Sequence, residues 1–224
     1  MTGRDVLGGI KEEFIRIQNP EKAGHMKAYM KNRYPFFGIQ AGERKAVQKK
    51  FQREIRALSK GERFQLVRDL WGRDEREYQQ LAVDIHSDRY RELTIEDLPH
   101  LEELITQKSW WDTVDLIASR LVAQILKDNQ KEQQKYCNRW LNSQNMWLQR
   151  TAILFQLKYK RNTDFSLLQK IIIELMGSNE FFIQKAIGWS LREYSKTNPE
   201  AVRAFIEHNT LKPLSVREGS KYLK

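Results

Sequence analysis

The 224-residue sequence contains a single cysteine, Cys137, and this scarcity excludes several kinds of site. One cysteine cannot form an intramolecular disulfide, a cysteine-based zinc site or a cysteine-ligated iron–sulfur cluster. The four histidines are scattered and lack the spacing of a metal-binding pair. The sequence also has no glycine-rich phosphate loop and no Gly-x-Ser-x-Gly motif. We therefore expect neither a metal nor a cofactor.

Long apolar segments are missing too. No stretch approaches the run of about 18 apolar residues that a membrane-spanning helix needs, and residues 1–10 lack the apolar core of a signal peptide. Both absences predict a soluble intracellular protein with no membrane partner. The charge balance is basic, with 39 lysines and arginines against 29 acidic residues and a net charge of +10. Such a surplus favours a polyanionic partner, nucleic acid before a membrane surface.

Helix breakers are few, with five prolines and eleven glycines, and apolar residues recur at spacings of three and four. This pattern predicts an all-α protein. A motif that combines apolar residues, glutamine and a polar or basic residue recurs after roughly 32 to 36 residues, the period of two-helix repeats. The motif occurs at residues 77–82, 147–152 and 182–187. Residues 111–115 fall between the first and the second occurrence at the expected distance, and residues 214–217 follow the third.

Repeats of this length stack into a curved α–α superhelix with a concave groove. The first helices of three repeats are predicted at Leu98–Thr106, Glu132–Leu141 and Phe165–Met176. We predict a single domain over residues 1–224, with less regular helices over about 1–60 and clearer repeats over about 61–224. In the less regular part, Asn19 and Pro20 start a helix that reaches Met30, and a loop with Gly38 at its turn follows.

Basic residues recur among aromatic ones in the last repeats. The segment 147–161 carries four cations and no acid, namely Arg150, Lys158, Lys160 and Arg161. In the next repeat Lys185, Trp189 and Arg192 lie at spacings of four and three, on one helical face. A solvated surface explains any single lysine equally well. Recurrence in two successive repeats favours a basic groove that follows a phosphate backbone.

The most unusual stretch is Lys108–Asp115, with the sequence KSWWDTVD. We predict that Ser109 caps a helix and that Asp112 closes a capping box. Trp110 then shares a core face with the apolar residues that follow, as Trp71 and Trp140 do in their helices. Trp147 suits either core or groove. Trp111 and Asp115 lie one turn apart on a neighbouring face, where an aromatic plane beside a carboxylate could hold a cation. Taken alone, Asp115 is as readily explained by an ordinary salt bridge.

These motifs resemble the bacterial AlkD family of DNA alkylation repair glycosylases, which consist of HEAT-like helical repeats. The resemblance is carried by residues 108–115, 145–160 and 180–194 and, more briefly, by 29–32 and 38–40. It implies that Trp111 and Asp115 form the catalytic pair, that Trp189 flanks the lesion and that Arg150 contacts the DNA backbone. Tyr29 and Gln40, in the shorter motifs, are assigned to DNA binding with the groove cations.

The resemblance implies a monofunctional glycosylase that releases cationic N3- and N7-alkylpurines, such as 3-methyladenine and 7-methylguanine, from duplex DNA without base flipping. Such an enzyme would act as a monomer in the bacterial cytoplasm, associated with the nucleoid when bound. A helical-repeat module that binds DNA without chemistry is the alternative. Asp115 argues against it, because a carboxylate in a phosphate groove only repels a ligand that undergoes no reaction. A protein-interaction scaffold is disfavoured, because its groove should carry acidic or mixed charge.

Overall fold

A computed structural model describes residues 2–223, and all regular secondary structure within that range is helical. The all-α prediction is therefore confirmed. The chain forms two compact units, Met1–Arg89 and Tyr90–Lys224. The change in regularity that the sequence places near residue 60 falls inside the first of these units.

The first unit consists of six helices in the described residues. They are α1 (Gly3–Ile17), α2 (Pro20–Tyr29), α3 (Ala41–Lys50), α4 (Gln52–Ala57), α5 (Lys60–Trp71) and α6 (Arg76–Asp88). Helix α5 packs against both α1 and α6. The predicted start of α2 is confirmed, because Asn19 accepts a hydrogen bond from the backbone of Lys22 and Pro20 is the first helical residue.

A buried carboxylate organises the loop between α2 and α3. Glu77 of α6 is fully buried and accepts hydrogen bonds from the backbone N–H groups of Phe37, Gly38 and Ile39 at 2.9–3.1 Å. Burial raises the pKa of Glu77 above its ordinary value, and the three donors oppose that rise. The predicted loop is confirmed, and Gly38 within it has a φ of +86°, a conformation that glycine adopts without strain.

The second unit begins with two short 3₁₀ turns, Tyr90–Glu92 and Ile95–Asp97, and then continues with helices in pairs. Its helices are α7 (Leu98–Thr106), α8 (Trp111–Leu116), a π-helical segment (Ile117–Val122), α9 (Ala123–Leu126), α10 (Gln130–Asn142), α11 (Met146–Leu154), α12 (Phe165–Leu175), α13 (Phe181–Ser195), α14 (Pro199–His208) and α15 (Pro213–Gly219). A further 3₁₀ turn, Lys160–Asn162, separates α11 from α12. The three predicted first helices correspond to α7, α10 and α12.

Neighbouring repeats in this unit pack helix against equivalent helix. Helix α11 contacts both α8 and α13, α13 contacts α15, and α10 contacts α12. The predicted repeat length therefore reappears as the sequence separation of long-range contacts. Asp115 pairs with Arg150, 35 residues later, and Lys185 pairs with Glu218, 33 residues later.

The tryptophans assigned to the core are buried as predicted. Trp71, Trp110 and Trp140 expose 6% or less of their surface, and Val114 and Ile117 on the face of Trp110 are completely buried. Burial of large apolar side chains is the main favourable contribution to folding, so these faces determine how the helices pack.

We predict that Gly38→Ala destabilises the protein, whereas the same substitution at Gly24 stabilises it. A Cβ atom at position 38 would come within 2.0 Å of the carbonyl oxygen of Asn19, and the positive φ is strained for alanine. Gly24 is exposed inside α2, and a Cβ atom there would meet nothing within 4 Å.

Urea unfolding should show a loss of at least about 2 kcal/mol for Gly38→Ala and a gain of about 0.5–1 kcal/mol for Gly24→Ala. Equal effects of the two substitutions would contradict the described turn.

Candidate active site

The helix that carries Asp115 begins one residue later than a Ser109 cap requires. Helix α8 starts at Trp111, and Trp110 occupies the capping position in an extended conformation with a φ of −158°. The hydroxyl of Ser109 instead donates a 2.6 Å hydrogen bond to the carbonyl of Ile105, in the last turn of α7. The prediction that Ser109 is the N-cap residue is therefore wrong, because Trp110 holds that position. The hydroxyl of Ser109 satisfies an end carbonyl of the preceding helix.

Asp115 forms a two-pronged ion pair with Arg150 of α11. The Nε atom of Arg150 donates to Oδ1 of Asp115 at 2.7 Å, and its Nη2 atom donates to Oδ2 at 2.8 Å. The guanidinium also donates through Nη1 to the backbone carbonyl of Phe182 in α13. Arg150 therefore joins α8 to α13 and fixes the carboxylate in both position and plane.

This pair is largely withdrawn from water, with exposed side-chain fractions of 5% for Arg150 and 14% for Asp115. Burial raises the pKa of Asp115 above its ordinary value, and the Arg150 guanidinium opposes that rise. A carboxylate in an unexposed environment interacts strongly with any charge brought beside it. Because its partner neutralises it, Asp115 adds little long-range repulsion toward an approaching polyanion.

The helical geometry changes directly after Asp115. The π-helical segment Ile117–Val122 follows α8, and Ser119 donates a 2.7 Å hydrogen bond to the backbone carbonyl of Asp115. Widened helical turns of this kind are rare in proteins, and many of those that do occur lie at functional sites. Here the segment lies directly beside the buried ion pair.

Aromatic side chains form a cluster next to Arg150. Trp110, Trp147 and Phe182 lie with ring centroids 4.9–5.7 Å apart, and the Arg150 guanidinium lies 5.8 Å from the Phe182 ring. Trp147, for which the sequence left core and groove open, is half-buried within this cluster. The cluster is a rigid apolar support for the ion pair.

Helix α13 presents the predicted face of cations and aromatic residue. Trp189 is half-buried and follows Lys185 by one turn, and Arg192 follows Trp189 by three residues. Both cations bind the carboxylate of Glu218 in α15, at 3.0 Å for Lys185 and 2.9 Å for Arg192. Trp111, the other tryptophan assigned to the groove, is the first residue of α8 and is also half-buried.

The sequence pattern implied that Lys158 and Lys160 lie on the same helix as Arg150, but both lie outside that helix. Helix α11 ends at Leu154, and both lysines are exposed in the segment that follows it. Lys160 has a φ of +53°, and the buried hydroxyl of Tyr159 anchors the segment by donating to the carbonyl of Ala123 at 2.5 Å.

Tyr29 and Gln40 belong to the first unit. Tyr29 is exposed at the end of α2, and Gln40 is exposed at the start of α3, where its backbone N–H donates to Glu43 at 2.7 Å. Both side chains are accessible to a ligand of that unit.

Three contacts were not predicted from the sequence, namely the pairing of Arg150 with Asp115, the hydrogen bond from Arg150 to the carbonyl of Phe182 and the pairing of Lys185 with Glu218. The repeat period could have predicted two of these contacts, because Arg150 lies 35 residues after Asp115 and Glu218 lies 33 residues after Lys185. Side chains one repeat apart are the ones that meet when equivalent helices stack.

Among residues 2–223, no group of three or more histidine, cysteine, aspartate or glutamate side chains could hold a metal ion. Over the same residues no helix has both the length and the apolar character needed to cross a membrane.

Comparison with known proteins shows which family the chain resembles in sequence and structure. The model of a family described as DNA alkylation repair enzyme matches residues 10–223. A solved structure described as a predicted DNA alkylation repair enzyme from Enterococcus faecalis is 38% identical, with a TM-score of 0.86, over 92% of this chain and 96% of that chain. No curated protein matches the chain.

We predict that Arg150→Met destabilises the second unit by about 3–5 kcal/mol, because it leaves the Asp115 carboxylate buried without its partner. Adding Asp115→Asn to Arg150→Met should restore part of the loss, since the unpaired charge disappears. Urea unfolding of the wild type, both single variants and the double variant measures this coupling. Strictly additive effects would show that the pair contributes no interaction energy.

Proposed function

Since the chain belongs to the DNA alkylation repair enzyme family, we propose that it is a monofunctional DNA glycosylase. Its substrates are cationic N3- and N7-alkylpurines in duplex DNA, of the 3-methyladenine and 7-methylguanine type. It hydrolyses the N-glycosidic bond and leaves an abasic sugar. The observation that carries the proposal is the buried Asp115–Arg150 pair, which lies on helices adjoining a face of cations and tryptophan.

The charge of the substrate explains why one carboxylate is enough. An alkylated purine of this type is already positively charged, so it leaves the sugar as a neutral base and needs no general acid. As the glycosidic bond breaks, positive charge develops on the sugar ring. Water then adds to the anomeric carbon and releases a proton. The task that remains for the protein is to stabilise the sugar cation and orient the water.

Asp115 has the right chemistry for that task. An ionised carboxylate offers about four acceptor positions, and the two bonds from Arg150 occupy one on each oxygen. The remaining positions can face the sugar and accept from the attacking water. Arg150 keeps the carboxylate ionised and aligned, which preorganises it for the charge that develops during the reaction.

The other predicted residues supply binding. Trp111 and Trp189 offer aromatic faces to the cationic base and sugar. The backbone contacts are assigned to Arg150, Lys158, Lys160, Lys185 and Arg192, and to Tyr29 and Gln40 of the first unit. In the family the chain resembles, the lesion stays within the duplex during attack, and we propose the same here, with the protein acting as a cytoplasmic monomer.

We predict that the wild type releases 3-methyladenine and 7-methylguanine from methylated duplex DNA and that Asp115→Asn lowers the single-turnover rate about 30- to 1000-fold. This range corresponds to about 2–4 kcal/mol of lost transition-state stabilisation. Affinity for the DNA should persist. Chromatography of the freed bases measures the rate, and the exposed Asp128→Asn is a matched control that should retain wild-type activity.

Two results would overturn this assignment. Wild-type rates in folded Asp115→Asn would remove the proposed role of the carboxylate. No base release by the wild type, together with tight and salt-sensitive DNA binding, would favour the DNA-binding module without chemistry.

The reaction should also depend on pH through Asp115. Only the ionised carboxylate stabilises a cation, so the rate should fall as the pH drops through the pKa of Asp115. Because burial raises that pKa, the rate should fall at a pH above 3.8, the ordinary pKa of an aspartate. The alkylated purine keeps its positive charge throughout this acidic range, so the fall in rate is not due to the substrate. Single-turnover rates measured over the range where circular dichroism reports a folded protein test this, and a rate that stays constant down to pH 3.8 would contradict it.

A further inference from the structure

The carboxylate of Glu218 lies among three cations. Its Oε1 atom is 3.0 Å from Nζ of Lys185, and its Oε2 atom is 2.9 Å from Nη1 of Arg192 and 2.8 Å from Nζ of Lys221. Glu218 is nearly buried, with 7% of its side chain exposed, whereas Lys185 and Arg192 expose 39% and 24%. One hidden anion thus holds cations that still reach solvent, and the cluster keeps a surplus of two positive charges.

Close packing of α15 on α13 fixes where Glu218 lies. A Cβ atom at Gly188 would come within 2.5 Å of Cβ of Glu218, so only glycine permits this approach. The hydroxyl of Ser215 also donates a 3.0 Å hydrogen bond to the backbone carbonyl of Gln184. Gly188 directly precedes Trp189 in the sequence, so the contact that seats Glu218 also supports the backbone of the tryptophan.

Two of the three cations that Glu218 holds, Lys185 and Arg192, flank Trp189. Free lysine and arginine side chains sample many rotamers, and fixing them in a complex costs entropy. A carboxylate that orders them beforehand removes that cost from binding. Ion pairing lowers the pKa of Glu218 to about 2, so it stays charged throughout the physiological range.

We propose that Glu218 is a positioning residue for DNA binding, which holds Lys185 and Arg192 on either side of Trp189 so that both cations meet backbone phosphates already in place. The inference rests on the proposed function only in that this face of α13 must contact DNA. It does not depend on base release.

The proposal and an argument from net charge alone predict opposite changes in DNA affinity when the carboxylate of Glu218 is removed. Removing a carboxylate raises the net charge of the protein by one, and a more positive protein binds DNA more tightly when charge alone decides. Loss of a positioning residue weakens binding despite the added charge. If Glu218 contributes only to folding stability, its loss leaves the DNA affinity of the folded protein unchanged by any ordering of the cations.

The test compares Glu218→Gln with Glu193→Gln. Both variants lose one carboxylate. Glu193 is a matched control because it lies on the same helix as Lys185 and Arg192 and pairs with Lys196, directly after that helix, with a partly exposed side chain. Fluorescence anisotropy measures binding to a duplex with a tetrahydrofuran abasic analogue and to the undamaged duplex. We expect Glu218→Gln to bind the abasic duplex about five- to tenfold more weakly than the wild type and Glu193→Gln to bind as tightly or more tightly. Equal or tighter binding by Glu218→Gln overturns the proposal.

Removal of both cations shows whether Glu218 acts through them. In a Lys185→Met/Arg192→Met background, adding Glu218→Gln should not weaken binding further, and a persistent loss would contradict the proposal. Urea unfolding establishes that each variant is folded. If Glu218→Gln does not fold, Glu218→Asp decides, because it keeps the charge but withdraws the carboxylate. Its affinity for the abasic duplex should fall about two- to fivefold, and wild-type affinity overturns the proposal.

Base release by the wild type separates the two claims. If the wild type releases alkylpurines while Glu218→Gln binds DNA normally, the proposed function stands and the positioning role fails. If the wild type releases no base while Glu218→Gln binds DNA weakly, the positioning role stands for a binding protein.

Discussion

The buried ion pair between Asp115 and Arg150 is the constraint around which the second unit is arranged. Taking both charges out of water is costly, and the cost is offset only when the hydrogen bonds are well aligned. Two bonds to Asp115 and one to the Phe182 carbonyl meet that condition. They also join α8, α11 and α13, which are equivalent helices of three successive repeats. The pair that we assign to catalysis is therefore part of the packing as well, and stability and reaction cannot vary independently at these positions.

An ion pair between neighbouring repeats also occurs further along the chain. Equivalent helices of neighbouring repeats stack, so a side chain meets a partner about one repeat later. Asp115 finds Arg150 in this way, and Lys185 finds Glu218. In the first pair the carboxylate is the proposed reacting group and the cation orients it. In the second pair the cation is the proposed ligand contact and the carboxylate orients it. One geometric rule thus serves both reaction and binding.

Sequence reasoning recovered the helical class, the repeat period and the buried face of Trp110, because these follow from spacings along one helix. It failed at Ser109, because Trp110 is the N-cap of α8 and the Ser109 hydroxyl donates to a carbonyl of the helix before it. A capping motif shows which residues can bond, but competition between two helix ends is decided by tertiary packing. The partners of Arg150 and the role of Glu218 were missed for a related reason. Both depend on contacts between repeats, which a reading of single helices does not include.

The central claim is that Asp115 stabilises positive charge on the deoxyribose ring. Binding to two duplexes that differ only at the lesion tests it most directly, one with a cationic pyrrolidine in place of the sugar and one with the neutral tetrahydrofuran. The wild type should prefer the cationic analogue by at least about tenfold, and Asp115→Asn should lose that preference while it binds the neutral duplex normally. An equal preference in both proteins would contradict the account, since the discrimination would then come from elsewhere.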